Sequence, residues 1–101
     1  MTREHLRAHY LALLMRLASY QFDHQAYQES IELLRRLLYL DPSFEHAHRL
    51  LMRCYARLGQ RSIALRHYRL CINILHSEFA TIPEPDTTAL FDQIRLDPRH
   101  V

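Results

Sequence analysis

Shifting this 101-residue chain by 34 positions lays Leu17 on Leu51, Leu34 on Tyr68, Leu37 on Cys71, Leu38 on Ile72 and Leu40 on Ile74. The small residues Ser30 and Ala64 coincide under the same shift. A self-match at this period is the length of a pair of antiparallel helices that cannot bury its apolar face alone and stacks on a second copy. Stacked units of this kind present surface rather than chemistry, so the period points to holding another protein or domain.

Local signals divide the chain accordingly. Thr2 is a cap for a first helix over about residues 3–22. Leu6, Tyr10, Leu13, Leu14, Leu17 and Ala18 recur at three- and four-residue spacing and predict its buried stripe. A turn at Phe22-Asp23-His24-Gln25 leads to a second helix over about 26–40, with Tyr27, Ile31, Leu34, Leu37 and Leu38 inward. Asp41-Pro42 stops it, because proline disfavours helical backbone in the residue before it. Ser43 is placed to cap a third helix over about 44–58, which Gly59 ends, and a fourth follows over about 61–79. Pro83-Glu84-Pro85 predicts extended chain, then Asp86 as the cap of a short fifth helix with Ala89, Leu90 and Ile94 on its apolar face. Residues 96–101 are expected to fray.

Composition narrows the class. Hydrophobic residues make up 49% of the chain, enough for one modest core, and no apolar run approaches the length of about 20 residues that spans a bilayer. The start of the chain reads as an amphipathic helix and not as a signal peptide, so the expected setting is soluble and cytoplasmic. All 13 basic residues other than His are Arg, and the net charge is only +2. Charge is uneven: residues 43–76 hold six Arg against Glu45 alone, while 77–101 hold two Arg and five acids. Cys54 and Cys71 lack CxxC spacing, and Cys71 shares a repeat position with Leu37, so both read as small core hydrophobes.

Candidate sites are few. Arg49, Arg53 and Arg57 stand four apart on one face of the third helix. They read either as groove cations for an acidic peptide or carboxylate, or as a solvated face paired within the helix, which is the simpler reading. A phosphate-binding role for them together with Arg61, Arg66 and Arg69 is disfavoured, since the charges are spread around two helices and no groove-reading motif is present. His5 and His9 have chelating spacing but no accompanying HExxH, and His46 and His48, two apart, point to different sides of a helix. No nucleophile elbow, phosphate-binding Gly loop or carboxylate pair is found, so neither an enzyme nor a cofactor is expected. Leu11, Met15 and Tyr39 are candidates for a domain or dimer contact.

Tyr55, Gly59, Ala64 and Tyr68, spaced four, five and four apart, resemble the tetratricopeptide motif, with Leu34 and Pro42 matching in the weaker first copy. In that first copy Gln25 replaces the turn Gly and Ser30 the small Ala. A narrower resemblance spans residues 10–95: the runs Tyr27–Glu45, Leu50–Tyr68 and Glu78–Arg95 are similar to the bacterial transcriptional activator domain of SARP-type regulators. The chain departs from that pattern at Phe79-Ala80, where Leu-Gly is usual. The resemblance implies a domain that follows a winged helix-turn-helix DNA-binding domain, or sits in larger regulators with an ATPase domain, and acts through protein contacts. No DNA-reading helix is evident, and the first helices usual at the start of the family domain are expected to lie outside this chain.

The expected fold is all-α: a tetratricopeptide-like right-handed array of two antiparallel hairpins, about 11–44 and 45–78, with a capping helix over about 86–95. The expected function is a non-catalytic regulatory module of a bacterial transcription regulator. Its partners would be its own DNA-binding domain, a second protomer or the transcription machinery. No nucleic acid, membrane or small-molecule substrate is expected. The alternative is a stand-alone adaptor for an acidic peptide.

Overall fold

The computed structural model describes residues 2–101, and helices are its only regular elements. They are α1 (Arg3–Asp23), α2 (Tyr27–Leu40), α3 (Glu45–Arg57), α4 (Arg61–Phe79) and α5 (Pro85–Leu96), followed by a 3₁₀ turn at Pro98–His100. The extents are 45 × 34 × 18 Å, a slab about two helices thick.

Each boundary has a local cause. Thr2 Oγ1 accepts from the His5 N–H at 3.2 Å and starts α1. Asp41 and Asp97, each followed by proline, leave helical geometry for extended backbone and end α2 and α5. Ser43 does not cap α3: its hydroxyl donates to Asp41 Oδ1 at 2.7 Å within the connecting turn, and Phe44 takes the cap position without a side-chain bond. Nor does Asp86 cap α5. Pro85 opens that helix, where its missing N–H costs nothing, and Asp86 lies in the first turn, where its charge complements the helix dipole.

α1 packs on α2, α2 on α3, α3 on α4 and α4 on α5, and α3 also meets α1, α5 and the 3₁₀ turn. This makes α3 the central helix, and its Ala47, His48, Leu50, Leu51, Met52 and Cys54 are all buried. Leu34 and Leu37 of α2 and Ala64 and Tyr68 of α4 close over it. Ser30 is fully buried, and its hydroxyl donates to the Ala18 carbonyl at 2.8 Å, which lets α1 and α2 approach closely while the hydroxyl stays satisfied.

Packing corrects further expectations. In α1 the buried face is Leu11, Leu14, Met15 and Ala18, whereas Leu6, Tyr10, Leu13 and Leu17 face outward. The helix is apolar on two sides, so periodicity alone could not choose the packed one; the small Ala18, against Ser30, decides it. Leu11 and Met15 are therefore core, not contact surface, while Tyr39 is exposed as expected. At the end of the described residues Val101 packs in the core cluster, and its main-chain oxygen accepts from Arg57 Nε at 3.1 Å. In α5, Leu90 and Ile94 face inward with Thr87, and Ala89 turns out.

Candidate functional site

The outward side of α1 carries Leu6, Tyr10, Leu13, Leu17 and Tyr20, all 42–58% exposed and spaced to form one continuous strip. A helix needs a single apolar face to pack; this one has a second that no element among the described residues buries. Beside the strip lies a groove of about 550 Å³ between α1 and the start of α3, lined by Met15, Arg16, Tyr20, Asp23, Phe44 and His46. His46 is held below its ordinary pKa by burial, then by the charges of Arg49 and Arg53.

The three arginines of α3 have different surroundings. Arg49 is largely buried and points across to α5, donating to Glu84 Oε1 at 2.9 Å and to Thr87 Oγ1 at 3.1 Å. Glu45 completes the cluster by accepting from the Thr87 hydroxyl at 2.6 Å and from the Glu84 N–H at 2.8 Å. Arg57 donates to the Val101 carbonyl and to Tyr27 Oη and lies 5.0 Å over the Phe22 ring. Both side chains thus brace helices within the chain. Arg53 is exposed, with no ion pair or hydrogen bond among the described residues. Arg61 likewise turns inward, donating to the Ile94 and Arg95 carbonyls at the end of α5, whereas Arg66 and Arg69 are exposed.

The residues of the repeat motif divide between helix contacts and turns. Tyr55, Ala64 and Tyr68 are buried, Leu34 is fully enclosed, and Gly59 takes the turn with φ +76°. Pro42 supplies the carbonyl that receives His48 Nε2 at 2.7 Å. Tyr68 stacks on Phe91 of α5 with ring centroids 4.1 Å apart, which seats the last helix. Cys54 and Cys71 are buried free thiols, raised by desolvation, Cys71 to about 12, which keeps them unreactive at neutral pH.

One pair escaped the sequence reading. His48 of α3 and His67 of α4 meet with Nδ1 and Nε2 2.9 Å apart. They are 19 residues apart on different helices, and no spacing rule connects them. His5 and His9 are exposed on α1, and among the described residues no three His, Cys, Asp or Glu side chains gather as a metal site.

These features describe an all-helical array with an apolar strip left uncovered on its first helix. Residues 1–95 match the sequence model of the bacterial transcriptional activator domain, and the chain belongs to that family. No curated protein and no solved structure matches it. The family is one of regulatory domains of transcriptional activators, and no helix among the described residues is long and apolar enough to cross a membrane.

Proposed function

We propose that this chain is the non-catalytic protein-interaction module of a bacterial transcription regulator, working in the cytoplasm through protein contacts, with DNA read by a separate domain. In this reading α1–α2 and α3–α4 are two tetratricopeptide-like hairpins in a right-handed array, capped by α5. The observation that carries the proposal is the uncovered strip Leu6, Tyr10, Leu13, Leu17 and Tyr20, whose neighbouring residues on α1 already pack against α2. Contiguous apolar surface of this kind marks an interaction site. Its occupant is a protein: the regulator's own DNA-binding domain, a second protomer or a transcription partner. Docking changes transcription only if the partner distinguishes two arrangements of the regulator, since equal affinity for both shifts neither.

The test is Leu13→Glu with Leu17→Glu in the chromosomal copy, followed by transcript levels. Both residues are exposed, so helix content and melting temperature should be kept while regulated transcripts fall several-fold. An unchanged transcript profile with normal protein abundance would overturn the reading.

A second reading, an adaptor for an acidic peptide, is supported by the groove between α1 and α3. Arg16 and His46 line it with one carboxylate, Asp23, and the exposed Arg53 is close enough to act on His46 through its charge. It predicts that Arg53→Ala weakens peptide binding while the strip variant does not.

A further inference from the structure

On the other side of α3, helices α2, α3 and α4 enclose a separate cleft of about 310 Å³. Leu38, Leu70 and Ile74 give it apolar walls, and Arg35, Tyr55, His48 and His67 are its polar groups. The hydrogen bonds fix the protons here. The Pro42 carbonyl can only accept, so His48 Nε2, 2.7 Å away, carries a hydrogen. Neutral His48 then presents Nδ1 as an acceptor, and His67 Nε2 donates to it at 2.9 Å. This leaves His67 Nδ1 without a partner among the described residues, yet it is not sealed from solvent.

Arg35 donates one N–H to Tyr55 Oη at 2.8 Å and has no ion pair among the described residues. No carboxylate lines the cleft. Burial, then His48 and Arg35, push the His67 imidazole down to about 4, while Asp41 and Glu45 face the neighbouring His48. The cleft thus combines a fixed cation, an imidazole with an open nitrogen and apolar walls, and it contains no anion.

We propose that this cleft binds a small amphipathic carboxylate, with the carboxylate between Arg35 and His67 and the hydrocarbon part against Leu38, Leu70 and Ile74. The guanidinium fork matches a carboxylate geometrically, and its remaining donors give charge-assisted bonds. The volume lies at the lower end of the range of about 300–1,000 Å³ for small-ligand sites. Tyr39 and Leu70, both well exposed at this cleft, are apolar surface that the ligand would cover. A bound carboxylate favours the imidazolium form of His67, so affinity rises as pH falls from neutrality. This inference is independent of the strip on α1.

The experiment is calorimetric titration of the 101-residue chain with octanoate, 1-octanol, octylamine and inorganic phosphate at pH 6 and pH 7, with NMR of the histidine ring protons. Octanoate should bind saturably and more tightly at pH 6. It should shift the His67 resonances and raise that ring's pKa. 1-Octanol, octylamine and phosphate should each bind at least about tenfold more weakly, the scale of one charge-assisted contact. Arg35→Met, a change at an exposed position checked by circular dichroism, should weaken octanoate by a similar factor. Equal binding of octanol would reduce the cleft to an apolar patch, and equal binding of phosphate to an anion patch; either overturns the proposal. So does octanoate binding that leaves His67 unmoved or is indifferent to Arg35→Met. If that variant does not fold, the ligand comparison and the His67 titration on the unaltered chain decide.

Discussion

Gln25 and Gly59, 34 residues apart, make the same turn. Both have positive φ, 61° and 76°. Around Gln25 the N–H groups of His24, Gln25 and Ala26 reach back to the carbonyls of Tyr20, Phe22 and Gln21. Around Gly59 those of Leu58, Gly59 and Gln60 reach Cys54, Ala56 and Tyr55, each pair displaced by the same interval. The repeat is thus preserved in backbone geometry where it has been lost in sequence. The left-handed region costs an L-residue with a Cβ roughly 1–2 kcal/mol, a cost that Gly59 avoids and Gln25 bears.

Gln25→Gly should therefore stabilise the fold by about 1 kcal/mol, the left-handed penalty less the extra freedom glycine has when unfolded. Ala80→Gly should act likewise, since Ala80 ends α4 with φ +50° at the position where the resemblance expects glycine. Gly59→Ala should destabilise by a similar amount. No atom lies within 4 Å of where its Cβ would stand, so that cost is backbone conformation alone. For a domain of this size each change should move the melting temperature by about 4–8 °C, read by calorimetry. No shift for Gln25→Gly would contradict the strain assigned to that turn.

What the sequence made legible follows a physical divide. Helix ends depend on neighbouring residues, so Thr2, Asp41-Pro42 and Gly59 marked theirs, while Ser43 and Asp86 missed the cap by one or two positions because Asp41 took the Ser43 hydroxyl and Pro85 opened α5. The small residues at 30 and 64 signalled close helix contacts, and both are fully buried. Choices between faces depend on distant partners and were not legible. α1 offered two apolar sides, and only its contact with Ser30 selects one. Arg49, Arg53 and Arg57 stand four apart in the sequence, but nothing local showed that Glu84 and Thr87 would meet the first and Val101 and Tyr27 the last. His48 and His67 are joined only by the packing of α3 on α4.

The cluster of Glu45, Arg49 and Thr87 leads to a second prediction. Glu84 is mostly exposed, so its pair with Arg49 contributes little; the weight falls on the less accessible contacts among Glu45, Arg49 and Thr87. Removing the guanidinium leaves the Glu45 carboxylate partly buried with one cation fewer. Arg49→Ala should cost about 1–3 kcal/mol and speed amide exchange in α5 before the rest of the chain. Arg53→Ala, at an exposed position without such contacts, should stay within about 0.5 kcal/mol of the unaltered chain. Hydrogen exchange with urea unfolding separates the two. Equal effects would mean that Arg49 does not hold α5.

The paired histidines give stability a pH dependence whose direction can be worked out. His67 is pushed down to about 4, chiefly by burial and then by His48 and Arg35, and His48 is lowered mainly by burial. Both rings are therefore neutral in the folded chain at pH values where the unfolded chain, with the ordinary value near 6.5, already binds protons. The unfolded state gains protons first, so the stability contributed by these rings is complete above about pH 6.5 and declines as pH falls towards about 4. For His67 the loss is at most about 3 kcal/mol, reduced by whatever solvent reaches the ring. Urea midpoints measured between pH 7 and pH 5 should fall steadily, above the range where carboxylates begin to protonate. His67→Gln should flatten this slope, because an amide N–H can still donate to His48 Nδ1 while nothing at that position titrates. A slope unchanged by His67→Gln would assign the acid sensitivity to other groups and remove the neutral histidine pair as its cause.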